Sequence, residues 1–323
     1  MKRFSEYFCD KEKSRIARIA DIQGGEFDDF GVAIRRNIAS ALGCQMEESD
    51  GFVILPGGYT NLSMRFSLKQ DMYVYRHPGN NTGFIDRKCE AHSNRIGNRL
   101  GLDKSFIHLD SEHGWKLSRY ISGARILDYH NQKDMSEALR IMRTLHCSGE
   151  KTTRDFHLWD EAITLYESIF QFGQKNFPDF EYLFNQMANL EFLAKSDNIP
   201  CVLTHGDTWQ HNYLITDDPE TGYSISIIDW EASGNNDPGF DLGTYICCSD
   251  YTFDQAVDVI NKYYNHSASE KEFRHMIAWT AISSYYWFIY GVYMLNNGTD
   301  INKFVELWRG NAVAFLKKAQ PYY

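Results

Sequence analysis

Apolar residues recur at helical spacing through most of the first 45 positions, in ARIADI and then FGVAIRRNIASALG, and Gly43 stands where such a helix would stop. From Gly51 the pattern shortens to β-type runs, FVILP, LSMRFSL and MYVYRH, each bounded by turn residues. Phe84 to Leu100 returns to helical spacing and ends at Gly101, after which SFIHLD and GWKLSRYI predict two more strands across a Ser-Glu-His-Gly turn. Beyond the Ser122-Gly123 turn the spacing predicts helix near 134–148, 156–175, 179–197, 240–264 and 271–318. Three short β-type segments interrupt it, CVLTHGD, NYLIT and YSISIID, the last two joined by the turn-rich DDPETG. Strands gathered first and helices later predict an α+β architecture rather than alternating βαβ units. The expected parts are a helical extension over 1–45, a first lobe over 46–122 with a five-stranded antiparallel sheet, and a mostly helical second lobe over 123–323. Residues 1–45 either cover the first lobe or form a homodimer contact.

A chain of 323 residues is long enough to form two cores, so two lobes with a cleft between them are expected. Its 43% hydrophobic and 24% charged residues are those of a folded protein, and a formal charge of -10 argues against nucleic acid as a partner. The basic start lacks the apolar core of a signal peptide, and no stretch approaches ~18 uninterrupted apolar residues, so a cytoplasmic protein without membrane insertion is expected. Seven cysteines without C-x-x-C spacing fit reduced thiols better than a disulfide framework or a zinc site.

Candidate chemistry is concentrated in the second lobe. His205-Gly206-Asp207 is followed by Asn212, and an aspartate five positions before an asparagine is the spacing of a protein-kinase catalytic loop. The aspartate would orient or accept the proton of a nucleophilic hydroxyl, while the asparagine carbonyl turns back toward a metal on the phosphates. Asp229 ends a β-type run seventeen residues beyond Asn212, after a hairpin that would fold it beside the loop as a second Mg²⁺ ligand. In the first lobe Gly57, Gly58, Thr60 and Asn61 lie between two β-type runs, either as an ordinary hairpin turn or as a loop whose N–H groups meet phosphate oxygens. Arg76 on the third strand and Glu90 on the following helix supply the cation and carboxylate that a kinase pairs to hold the α- and β-phosphates of ATP.

HGDTWQHNYLI followed by IIDWEASGNNDPGFDLG resembles the aminoglycoside phosphotransferase and choline kinase superfamily, whose two-lobed fold is protein-kinase-like; IDWE, NNDP and FDLG most resemble bacterial choline kinases of the lipopolysaccharide-modification type. The likeness runs from about Gly51 to Tyr323. It implies Asp207 as catalytic base, Asn212 and Asp229 as Mg²⁺ ligands, His205 and Asp241 in support of the loop, and Glu231 as an acid near the metals. It also implies arginine at position 76, and by position Tyr120 and Ile121 as the hinge that receives adenine. Trp287 and Tyr290, three apart and so on one helix face, resemble the Trp-x-x-Trp pair of a choline pocket, with Trp308 as a third wall. One departure is Cys248, which stands where related enzymes carry an acid for the ammonium; Asp250 could substitute, with Tyr251 and Phe253 as apolar wall. The expected activity is phosphorylation of an amino-alcohol hydroxyl by Mg-ATP, choline first. Ethanolamine, an aminoglycoside, or a silent nucleotide-binding pseudokinase are the alternatives.

Overall fold

The computed structural model describes residues 2–20, 22, 26–56, 61–79, 85–171, 177, 179–218, 220 and 222–323. The chain divides into two compact units, Met1–Ala124 and Arg125–Tyr323.

The first unit opens with a 3₁₀ turn (Phe4–Tyr7), α1 (Asp10–Ala20) and α2 (Phe27–Leu42), which ends as expected at Gly43 in the left-handed conformation. Strands β1 (Ser49–Ile54), β2 (Leu62–Leu68) and β3 (Asp71–His77), helix α3 (Arg87–Arg99), and strands β4 (Phe106–Leu109) and β5 (Lys116–Arg119) follow. The sheet has the order β1-β2-β3-β5-β4, and every neighbouring pair is antiparallel. Alternation along β2 buries Leu62, Met64, Phe66 and Leu68, and this face shares a core with Phe4, Phe8, Ile16, Phe27, Ile34 and Ile38 of the N-terminal helices. Residues 1–45 are therefore a layer over the sheet. Phe52 and Phe66 stack at 5.4 Å, and each such fully buried ring contributes roughly 1.5–3 kcal/mol. The layer is pinned by a buried charge: the Arg35 guanidinium donates to the Ser49 carbonyl and lies 5.0 Å from the Phe52 ring centre.

The second unit contains β6 (Arg125–Ile126), α4 (Gln132–His146), α5 (Leu158–Gln171) and α6 (Phe180–Lys195), then β7 (Val202–Thr204), β8 (Tyr213–Asp218), β9 (Gly222–Ile227) and β10 (Gly234–Asn236). Helices α7 (Pro238–Cys247), α8 (Phe253–Tyr264), α9 (Glu270–Asn296) and α10 (Asn302–Ala319) complete it. The expected β8–β9 hairpin is present with β6 added to it, and β7 pairs with β10. Two corrections concern the helices. The stretch 240–264 is broken after Cys247, because Thr252 and Gln255 form a reciprocal capping box that starts a new helix; 271–318 is broken at Asn297-Gly298, where the Gly298 N–H returns to the Leu295 carbonyl. Helix α9 is buried on most sides and packs against α5, α6, α7 and α10, so it is the axis of the unit. Among the described residues no helix is long and apolar enough to cross a membrane, and all seven cysteines are free thiols.

Candidate active site

The loop after β7 is held by hydrogen bonds from α7. Asp241, wholly buried, accepts from the His205 N–H at 2.9 Å and the Gly206 N–H at 2.7 Å, and its carbonyl accepts from Thr208 Oγ1 at 2.6 Å. The same carboxylate meets His146 Nε2 at 2.9 Å, and His146 Nδ1 meets the Tyr263 hydroxyl at 2.7 Å. Burial alone would raise the Asp241 pKa, but the bond and charge of His146, the charge of His205 and the Gly206 N–H hold it below the ordinary carboxylate value. Gly206 cannot be replaced without movement: its φ is +86°, and a Cβ there would lie 2.2 Å from the Ala232 carbonyl oxygen. Helix α7 is itself anchored by Asp237, which caps its N-terminus and meets His275 Nε2 at 2.9 Å. His275 Nδ1 faces Asp197 at 3.2 Å; although burial opposes the charge, two carboxylates on the two ring nitrogens raise its pKa.

Within this frame the Asn212 amide nitrogen donates to both the carbonyl and Oδ2 of Asp207, each at 2.8 Å. That commits the nitrogen and turns the amide oxygen away from the loop. Ile228 N–H donates to the Asn212 carbonyl at 2.8 Å, which ties the end of the β8–β9 hairpin to the loop just before Asp229. Asp229 has a left-handed backbone, φ +70°, a conformation that aspartate tolerates better than most residues yet at a cost of about 1–3 kcal/mol. Burial, then the charges of Asp229, Glu231 and Asp241, push the Asp207 pKa up to about 8 against the opposing Asn212 bond. The Asp207, Asp229 and Glu231 carboxylates beside the Asn212 amide oxygen are a donor set of hard oxygens that fits Mg²⁺.

In the first unit Arg76 and Glu90 form an ion pair, and Arg87 Nη1 reaches the other Glu90 oxygen at 2.7 Å. Burial works to raise the Glu90 pKa, but Arg76, Arg87 and Lys116 outweigh it and keep the carboxylate ionised. A pair this buried adds little net stability and mainly fixes where the guanidinium points. Asn61 is buried at the start of β2, whereas Gly57, Gly58 and Thr60 lie outside the described residues. Of the two hinge positions, Tyr120 spends its N–H on the Met72 carbonyl at 2.9 Å; the Ile121 N–H has no protein acceptor among the described residues.

The aromatic positions come together on α9 and α10. Trp287 lies 5.5 Å from Tyr290, edge to face, and 6.0 Å from Trp308, and its Nε1 donates to Thr244 Oγ1 of α7 at 2.9 Å. Burial, Glu231, Tyr286 and Asp207 together raise the Tyr290 hydroxyl pKa. Asp250 is engaged elsewhere: its exposed carboxylate pairs with His130 Nε2 at 2.8 Å, and the Tyr251 hydroxyl donates to the Tyr129 carbonyl. Cys248 is the C-cap of α7, in the segment where the chain turns toward α8.

Sequence reasoning missed His146, Tyr263 and Thr244. His146 sits 61 residues before Asp207 on the apolar face of an amphipathic helix, where nothing in the local pattern marks it as more than a core histidine.

A family model described as choline/ethanolamine kinase matches residues 54–296. Protein LicA of Haemophilus influenzae is 29% identical over 201 residues, covering 59% of this chain and 56% of the relative, so the chain spans little more than half of that relative's length. A human choline/ethanolamine kinase is 33% identical over 84 residues, 25% of this chain and 21% of that one. The crystal structure of choline kinase LicA from Streptococcus pneumoniae is similar with a TM-score of 0.74, 23% identity, and coverage of 90% of this chain and 99% of that one, a likeness of fold. Because the matched region is well over half of the sequence and takes in both the Arg76–Glu90 pair and the loop carrying Asp207, this chain belongs to the choline/ethanolamine kinase family.

Proposed function

We propose that the protein transfers the γ-phosphoryl group of Mg-ATP to the hydroxyl of an amino alcohol, choline being the preferred acceptor. The observation that carries this is that helix α7 holds both the loop bearing Asp207, through the Gly206 N–H on Asp241, and the indole of Trp287, through Thr244, so that a base and an aromatic surface for a cation share one support. Asp207 orients the acceptor hydroxyl and takes its proton as the oxygen bonds to the γ-phosphorus and the bond to ADP breaks. Asn212 through its amide oxygen and Asp229 through its carboxylate are the residues that would hold Mg²⁺, with Glu231 nearby. Bound Mg²⁺ supplies the positive charge that offsets the phosphates and this carboxylate cluster. Arg76, aimed by Glu90, grips the α- and β-phosphates, and the Ile121 N–H reads adenine. Trp287, Tyr290 and Trp308 face the trimethylammonium head, which offers no N–H to an acceptor. In this assignment residues 46–122 serve the nucleotide, 123–323 the acceptor and the chemistry, and 1–45 support the sheet.

The test is product formation from Mg-ATP with choline, ethanolamine, thiamine or kanamycin as sole acceptor. Choline should be phosphorylated fastest, with kcat reduced about 10²–10⁴-fold by Asp207→Ala and comparably by Asp229→Ala. Unchanged turnover in both variants would falsify the site, and preference for kanamycin would reassign the substrate. Nucleotide binding without any product would make the protein a silent member of the family.

A further inference from the structure

Resting on the assignment of Asp207 as base, we infer that Trp209, on the catalytic loop itself, is a wall of the acceptor's cation pocket and a determinant of specificity for a quaternary ammonium. Trp209 is half-buried and opens the 3₁₀ turn Gln210–Asn212, two residues beyond Asp207. Its ring meets Phe304 of α10 edge to face at 5.8 Å; Phe304 stacks on Trp308 at 5.7 Å; Trp308 lies 6.0 Å from Trp287. The rings are thus continuous from α9 through α10 onto the loop. Neither the Trp209 ring nor Phe304 takes part in the hydrogen bonds that hold that loop, which run to Asp241, Asn212, Ile228 and Tyr129 and through the Trp209 carbonyl.

Substrate geometry gives Trp209 a role. Two carbons separate the hydroxyl oxygen of choline from its nitrogen, so the cationic head lies only about 4 Å from the reacting oxygen, given bonds near 1.5 Å. A wall for that head must stand close to the base, and a residue two positions along the chain has its Cα within about 7 Å of it. Of these rings Phe304 has an ammonium over it, Lys303 Nζ at 4.8 Å from its centre, which leaves Trp209 as the ring nearer the base for the substrate's cation. His211 also lies against Trp209, with ring centres 4.4 Å apart. An aromatic wall favours trimethylammonium over primary ammonium, which wants oxygen acceptors for its three N–H groups.

The test is calorimetric titration of the full chain, with Mg²⁺ and a non-hydrolysable ATP analogue present, by choline and by its neutral isostere 3,3-dimethylbutan-1-ol, followed by turnover with choline. Trp209→Gln should weaken choline binding and raise its KM about tenfold, while isostere binding and the KM for ATP change less than about twofold; Trp209→Phe should fall between it and the unaltered protein. If Trp209→Gln misfolds, the Phe variant decides alone, through a loss of about threefold for choline relative to the isostere. Equal losses for choline and isostere, or no loss for either, overturn the inference, as does a failure of choline to bind the unaltered protein. Choline binding of the expected pattern without turnover discards the kinase assignment and leaves the Trp209 pocket standing.

Discussion

The catalytic loop and the aromatic face of α9 and α10 lie in the same unit but are held by different means. Around Asp207 the loop backbone is set mainly by hydrogen bonds and backbone dihedrals: two N–H groups on Asp241, the Asn212 amide on Asp207, and Gly206 and, beyond the hairpin, Asp229 in left-handed conformations. Around Trp287 the constraints are ring contacts at 5.4–6.5 Å and one hydrogen bond to Thr244. Directional bonds fail abruptly when a partner is lost, whereas ring packing degrades by degrees. Damage to the loop should therefore appear in kcat, and damage to the rings in KM for the acceptor.

Three substitutions probe that division, in falling order of expected effect. Gly206→Ala places a methyl group against the Ala232 carbonyl at a φ that L-residues avoid; kcat should fall at least about 10²-fold with a Tm loss of several degrees, measured by turnover and thermal melting. Near-normal turnover would mean that the loop is not rigidly set. Asp241→Asn should cost about 2–3 kcal/mol, because the buried His146 and two loop N–H groups lose a charged acceptor. The pH dependence has a definite sign: the folded Asp241 pKa lies below the unfolded value near 3.9, so its stabilisation is complete above about that pH and is lost as the pH falls through the folded value. The Tm difference between the unaltered protein and Asp241→Asn should accordingly narrow as pH is lowered through about 4, and a constant difference would remove the carboxylate's charge from the account. Trp287→Ala should have the smallest effect on catalysis, raising the KM for choline about tenfold with kcat within about threefold. A kcat collapse matching that of Gly206→Ala would show that rings and loop are a single device.

The two regions were also unequally legible. That Asp207 and Asn212 meet was legible because a short loop fixes the separation of its own side chains, so five positions in sequence translate into one geometry. The five strands of the first unit were legible from alternation and turn residues for the same local reason, whereas their order in the sheet, with β5 between β3 and β4, was not. Trp287 and Tyr290 could be placed on one face, but packing against Trp308 depends on where α10 lies, which spacing does not encode. Asp250 shows the limit most plainly. Two residues past Cys248 it satisfied a charge requirement on paper, yet the turn that begins α8 leaves its carboxylate exposed and paired with His130. The helix breaks at 248–252 and 297–301 were hidden because capping boxes and glycine stops need only a few residues, fewer than the apolar pattern they interrupt. Strands β6 and β10, two and three residues long, are too short for alternation to register.

Helix α7 touches both regions at once. Asp241 fastens the loop that bears Asp207, and one turn later Thr244 fastens the indole of Trp287. A shift of this ten-residue rod would carry base and ring together, so their separation is better conserved than the position of either. If Asp207 is the base and Trp287 the cation's wall, the rod is a caliper set to one span between hydroxyl and cation, and an alcohol with a longer spacer should be a poor substrate.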